Sequence, residues 1–345
     1  MGQPVTPGWT PPPKPGLIPL RPLTLGGILG ASFQVLRRNP RPTFGFALLV
    51  TGLIGVVTLV VVGLVSFLAI ARTASAVGED ADTLAAGATA SILLAAVVPA
   101  VLAIVSNAIL QGVIALEVAR GTVGEKLRLG GLWRAARGRI GALIGWSALI
   151  TGAVLVAATI VALLIGLLIA FGGTAGLVTG VLLAIIVALG AVVVYAWLGT
   201  KLSLVPSILM LERVPLREAV RRSWSLTNDF FWRTFGIQIL VAVILNLVAS
   251  IIATPLQILV VFGSTLINPN NMDEGLIVAG IVVYLLTLVF TLVFGAIAAV
   301  VQAATSALIY IDLRMRKEGL DLELTRFVEA RQAGDLTVEN PYLVP

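Results

Sequence analysis

Long apolar runs alternate with short polar connections along the whole chain. The runs lie at about Phe44–Ala71, Leu84–Glu117, Ile140–Phe171, Gly176–Leu211, Phe235–Leu266 and Leu276–Ile311. Roughly 20 apolar residues in a helix cross the hydrocarbon of a bilayer, so the pattern predicts six transmembrane helices. Pro99 marks a kink in the second. Gly172-Gly173-Thr174 predicts a tight turn between the third and fourth.

The connections are of two kinds. Those after the first, third and fifth spans are brief: an acidic loop at Gly78–Asp82, the glycine turn, and a polar loop at Asn268–Gly275. Those ahead of the first, third and fifth spans show helical periodicity. Thr24–Asn39, Glu125–Arg137 and Pro215–Asn228 each put aliphatic residues and one aromatic (Phe33, Trp133, Trp224) on one side and basic residues on the other. A basic face opposite Trp or Phe describes a helix lying in a membrane interface. The third stretch is the densest in charge. Arg217, Glu218, Arg221 and Arg222 fall opposite Ala219, Ser223 and Trp224, and Glu218 with Arg222 is an i,i+4 pair in the favourable direction. Asn39, Gly138 and Asn228 are expected to cap the three helices in the left-handed conformation.

Composition agrees with the pattern and narrows the chemistry. Charged residues make up 12% of the chain, about half the share of a soluble domain. The absence of histidine removes the commonest general base and metal ligand, and the absence of cysteine removes thiolate chemistry. No metal, cofactor or catalytic residue is expected. The excess of basic residues sits beside apolar spans, which suits an anionic lipid surface and not nucleic acid. Arginine outnumbers lysine 19 to 4 in an Ala-, Gly- and Val-rich chain, a bias pointing to a GC-rich bacterium.

Charge also sets the orientation. Twenty-two of the 23 Lys and Arg precede span 1, lie between spans 2 and 3, lie from the end of span 4 (Lys201 included) to the start of span 5, or follow span 6; Arg72 is the exception. The positive-inside rule then places both termini in the cytoplasm of a bacterial cell.

The chain therefore reads as an all-α polytopic membrane protein built from three repeats of an interfacial amphipathic helix plus a transmembrane hairpin. The expected divisions are a disordered Pro-rich tail at 1–22, a membrane domain at 23–325 with units 23–119, 120–211 and 212–312, and a cytoplasmic tail at 326–345. Each even span ends in an acid (Glu117, Glu212, Asp312) with an arginine within three residues (Arg120, Arg213, Arg314). Such pairs could latch the short helices onto the hairpins. Arg314 to Lys317, followed by Glu318, Asp321 and Glu323, reads as a solvated, self-paired helix.

Ten or eleven residues before each acid lies a polar side chain: Asn107, Lys201 and Gln302. At 1.5 Å per residue these stand ~15 Å further in, and repeat interfaces are common sites in membrane proteins. Lys201 can be read as intramembrane or as snorkelling to the interface, where Tyr195 and Trp197 form a belt.

The second and third units resemble the membrane domain of the glycerophosphoryl diester phosphodiesterase family, in its stand-alone bacterial form. The residues that carry the resemblance are Pro215, Ala219, Arg221, Arg222, Ser223, Trp224 and Leu226, then Phe231, Trp232, Arg233, Phe235 and Gly236, and finally Tyr310, Asp312, Arg314, Arg316, Lys317, Glu318, Gly319 and Asp321. PLTLGGILGASF is similar to the family's start, with Gly27 and Gly30 where acids are expected. The resemblance implies a polytopic fold and not the hydrolytic activity, which in such families belongs to a separate soluble barrel needing histidines and an acidic metal cluster.

Two functions stay open on these residues. One is a non-catalytic inner-membrane scaffold or accessory protein, binding anionic inner-leaflet lipids or protein partners through Arg217, Arg221, Arg222, Trp224 and Arg233. The other is a transporter or lipid translocase with Asn107, Lys201 and Gln302 as a polar centre.

Overall fold

The computed structural model describes residues 16–74, 80–126, 128–266, 274–335 and 337–343. It is all-α among these residues. Ten helices follow one another: α1 (Leu25–Arg38), α2 (Phe46–Ala74), α3 (Asp80–Thr122), α4 (Leu129–Arg137), α5 (Ile140–Leu202), α6 (Val205–Leu211), α7 (Leu216–Asn228), α8 (Phe231–Leu266), α9 (Glu274–Glu318) and α10 (Leu320–Gln332). A π-helical turn, Arg41–Gly45, leads into α2. The loop residues 75–79 and 267–273, and with them most of the two polar loops read from sequence, lie outside the described residues.

Six segments are long and apolar enough to cross a membrane: Arg41–Thr73, Gly87–Thr122, Ile140–Leu168, Val178–Leu211, Phe231–Leu259 and Val282–Glu318. This is a multi-pass membrane protein. The third and fourth spans are the two arms of α5, broken at Gly173, whose φ of 55° and ψ of −141° favour a residue without Cβ. The turn read at Gly172–Thr174 is therefore where the chain breaks.

The spans are apolar on every side, and little of them is buried within the molecule; none of the best window in either arm of α5 is. Such surfaces are stable only against lipid. The core lies instead at one end, where the charged connections gather. It is built from the last turns of α3 (Val113, Ile114, Val118), all of α6, the last turns of α9 (Leu308–Ile311, Leu313) and the inner faces of the short helices. α3 and α9 form its axis: α3 packs on α2, α4, α5, α6 and α9, and α9 also on α1, α2, α7, α8 and α10.

Each short helix buries one stripe: Ile28, Ala31, Ser32 and Val35 in α1; Leu132 and Ala136 in α4; Ala219, Ser223, Leu226 and Thr227 in α7. Thr24 caps α1, its hydroxyl accepting the Gly27 N–H at 3.1 Å. Two expectations fail here. The aromatics do not sit in the packed stripes. Phe33, Trp133 and Trp224 are 36%, 41% and 36% exposed, each one residue past a buried position and so at the edge of its stripe. Nor are the left-handed caps present. Asn39 is neither helical nor left-handed at φ −144°, ψ 70°, and Gly138 is right-handed at φ −70°, because the chain passes directly into the next helical turn. Among the described residues positive φ falls at Arg213 and, among the glycines, at Gly124, Gly173, Gly319 and Gly334.

Parts of the two segments read as tails pack on the core; residues 1–15, most of the expected Pro-rich tail, lie outside the described residues. Leu17, Ile18, Leu20 and Leu23 are buried. Leu17 N–H donates to the Gly121 carbonyl at 2.8 Å, and the backbone of Gly16 passes so near that carbonyl that a Cβ would stand 2.0 Å from it. At the other end α10 buries Leu320, Leu324, Phe327 and Val328, and Tyr342 inserts its ring. The prolines around these residues suggested an extended chain; four large aliphatic side chains among them supply a reason for it to dock.

Candidate functional site

The three acids that end the even spans are all buried: Glu117 3%, Glu212 4% and Asp312 1% exposed. A buried carboxylate needs charged or hydrogen-bonding partners. The structure supplies them from elements far away in sequence.

Glu212 stands at the C-terminus of α6. Its carboxylate accepts hydrogen bonds from Tyr310 Oη of α9 at 2.9 Å and from Arg222 Nη2 of α7 at 3.0 Å, and Arg222 Nε pairs with its second oxygen. Arg314 lies 3.9 Å away. Arg222 and Arg314 share Glu318, at 2.8 and 2.6 Å. Arg314 also donates to Tyr310 Oη and to the Tyr342 carbonyl, both at 3.2 Å. Two guanidiniums thus face two carboxylates around a tyrosine, joining α6, α7, α9 and the C-terminal segment. The expected i,i+4 pair of Glu218 with Arg222 does not form. Glu218 lies 3.6 Å from the exposed Arg221, while Arg222 turns inward.

Asp312 serves the other terminus. Its Oδ1 accepts the Leu23 N–H at 2.7 Å and Arg316 Nε at 3.0 Å, and its Oδ2 accepts Arg233 Nη2 at 3.0 Å. Arg233 and Arg316 each donate in turn to the Leu23 carbonyl, at 2.7 and 2.8 Å. The backbone N–H and carbonyl of Leu23, in adjacent peptide units, are therefore both held, tying the N-terminal segment to α8 and α9.

Glu117 accepts Asn39 Nδ2 at 3.1 Å, which fixes the end of α1 on α3; its second oxygen has no hydrogen-bond partner among the described residues. Next to it Arg38 donates to the Gly121 carbonyl and, at 3.1 Å, to that of Glu125.

The latch positions are thus acids with long-range partners. The neighbouring arginines are not those partners: Arg120 pairs with Glu125 at 3.0 Å, and Arg213 gives its carbonyl to Arg139. Arg314 is buried at 4% and is no part of a solvated helix. Tyr310, Arg316, Glu318 and Tyr342 were not legible as site residues from spacing. The three regularly placed acids mark acceptors without naming donors, and the family resemblance singles out Tyr310, Arg316 and Glu318 without saying what they bond.

Among the described residues no hydrogen bond joins the three polar positions Asn107, Lys201 and Gln302 to one another. Lys201 is 5% exposed. It does not snorkel to water: α7 covers it, and its ammonium donates to Asn228 Oδ1 at 3.0 Å, lying 5.3 Å from the Trp224 ring centre and 5.9 Å from that of Phe231. Its carbonyl accepts the Ser223 hydroxyl at 2.6 Å. Asn107 is exposed and hydrogen-bonded to Gln111, one turn along its own helix, at 3.4 Å. Gln302 is exposed as well.

Around Lys201 the aromatics form a cluster. Trp224 meets Trp197 edge-on at 5.3 Å, and Phe231, Trp232 and Phe235 pack together at 5.4–6.1 Å. On its other side Trp224 walls an open groove of about 680 Å³ with Arg217, Val220, Arg221, Ser225, Asn228, Asp229 and Lys317. Lys317 donates to the Ser225 carbonyl at 2.8 Å and lies 2.6 Å from Asp229, whose carboxyl this hydrogen bond and charge hold below its usual range. Among the described residues no group of three or more acids is placed to hold a metal ion.

No family model matches the chain, and comparisons with curated proteins and with solved structures find no match either.

Proposed function

We propose that this chain is a non-catalytic protein of the bacterial cytoplasmic membrane, with both termini in the cytoplasm, and that its charged end is a platform for inner-leaflet lipids or partner proteins. The observation that carries the reading is where the polar side chains stand. Glu117, Glu212 and Asp312 are hydrogen-bonded at the charged end, in contacts that hold helices and termini together, whereas Lys201 bonds Asn228 of α7 and Asn107 and Gln302 are exposed. A route for a solute needs polar groups facing one another at depth; a platform needs a rigid base, which multiply bonded buried charges supply.

Three further points support it. The 22-to-1 distribution of basic residues favours the orientation. The edge positions of Phe33, Trp133 and Trp224 suit rings seated at headgroup depth. The resemblance to the membrane domain of the phosphodiesterase family fits a role without the hydrolytic barrel, since the chain has no histidine. In this reading the three short helices are copies of one docking element, each at the head of a membrane hairpin.

The test is flux in proteoliposomes. Purified protein should move neither fluorescent phospholipid nor small solutes faster than protein-free vesicles. Movement that depends on Lys201 would remove this reading in favour of a translocase.

A further inference from the structure

We infer that the groove between α7 and the end of α9 is a binding site for the headgroup of an anionic glycerophospholipid, with Arg217 and Arg221 as the phosphate ligands. The inference deepens the platform reading and rests on it, since it takes the charged end to lie at the lipid headgroups.

The charge comes first. α7 carries three arginines, and only Arg222 is turned inward to Glu212. Arg217 is exposed and has no ion pair among the described residues; Arg221 is 81% exposed and meets Glu218 only at 3.6 Å. The two are four residues apart, so they stand one above the other on a single face of the helix. Lys317 faces them across the groove. A guanidinium pair in this arrangement matches the oxygens of a phosphodiester.

The shape argues for a lipid and against a free anion. One wall of the groove is Trp224, whose indole continues edge-on into Trp197 at 5.3 Å. Trp197 and, two residues before it, Tyr195 are 45% and 76% exposed on the second arm of α5, an apolar span. A phosphate held by Arg217 and Arg221 would therefore sit where glycerol and acyl chains can pass over Trp224 and down the span. Aromatic rings at this depth are the usual company of such a backbone.

The groove also holds polar groups beyond the phosphate ligands. Asn228 gives its carbonyl oxygen to Lys201, which leaves its amide N–H₂ for the groove. Asp229 lies at the far edge, its carboxylate on Lys317. An acid there repels a bare phosphate and accepts hydroxyl hydrogens, so a glycerol headgroup is favoured over a doubly charged monoester.

The buried Lys201 has a part in this as a positioning residue. Through Asn228 and the faces of Trp224 and Phe231 it holds the C-terminal half of α7, and with it the groove wall, against α5 and α8.

The experiment is native mass spectrometry of delipidated full-length protein in detergent, titrated with phosphatidylglycerol or phosphatidylcholine. The wild type should retain phosphatidylglycerol at least about tenfold better than phosphatidylcholine. The double variant R217Q/R221Q should lose that preference at an unchanged melting temperature. In parallel, a photoactivatable phosphatidylglycerol on wild-type protein should label peptides within residues 216–232, which needs no variant to fold. Equal retention of both lipids, an unchanged preference in a folded double variant, or labelling confined to other spans would each overturn the site. So would full competition by millimolar inorganic phosphate, which would mark a soluble anion as the occupant. These failures leave the flux result untouched, so loss of the lipid site and loss of the platform reading are distinguishable.

Discussion

Arg233, at the start of α8, stands 3.0 Å from the carboxylate of Asp312, near the end of α9, and the same guanidinium donates to the Leu23 carbonyl at 2.7 Å. The two residues lie 79 positions apart in the chain. Their contact ties the beginning of the fifth span to the end of the sixth and clamps the N-terminal segment between them. Removing the acid leaves Arg233 and Arg316 facing each other without a counter-charge. Asp312→Asn should therefore destabilise the protein by about 2–3 kcal/mol. That is below the ~3–5 kcal/mol of a fully buried pair, because both arginines are about a third exposed. Thermal unfolding in detergent checks it, and a double-mutant cycle with Arg233→Met should show coupling near 1 kcal/mol or more.

The C-terminal segment is anchored by the Tyr342 ring as well as by the Arg314 hydrogen bond to its carbonyl. Tyr342 is 3% exposed; its hydroxyl meets that of Thr122 and donates to the Ala119 carbonyl at 3.2 Å. Tyr342→Phe removes only the hydroxyl and should cost about 1 kcal/mol. Tyr342→Ala should cost ~3–5 kcal/mol at the segment, enough to free it. Limited proteolysis should then cut after Arg331 many times faster than in the wild type. Equal cutting in the two proteins would show that the ring does not anchor the segment.

At Gly173 the chain turns between the two arms of α5 with φ 55° and ψ −141°. No other group stands within 4 Å of a Cβ built there, so any cost of Gly173→Ala comes from the backbone alone. The expected loss is about 1–3 kcal/mol, against under ~1 kcal/mol for Gly172→Ala one residue earlier. Melting temperatures of the two variants give the comparison.

Orientation has its own test, and the absence of cysteine makes it clean. Single cysteines at Ser225 and Glu339 should react with an impermeant maleimide only when the cytoplasmic face is open. A cysteine at Asn270 should react from the opposite side. Labelling of all three from one side would refute the six-span reading.

Much of the fold could be read along the chain. Apolar runs give spans because length and hydropathy alone decide insertion, and the glycine pair marked the break inside α5. The even-span acids were visible as a regularity. Their partners were not, because spacing along a helix fixes depth and leaves rotation and long-range pairing open. Asn107 and Glu117 illustrate the limit. Ten residues at about 100° each put them roughly 80° apart round the helix, so the acid faces the core while the amide faces out. Gln302 and Asp312 have the same offset. Lys201 was judged by its depth, yet what decides its surroundings is α7, which folds over it. The docking of Leu17, Ile18, Leu20 and Leu23 was hidden for a related reason: proline-rich composition describes the free chain, and these residues pack on a surface made by other elements.

The account turns on whether Asn107 and Gln302 face lipid or line a water path. Cysteines placed singly at the two positions, in a chain that has none, should react with a lipid-soluble maleimide and stay unreactive to a charged, water-soluble thiosulfonate applied from either side. Rapid modification of both by the water-soluble reagent, with protection by a transported solute or lipid, would contradict the platform and establish a route through the membrane.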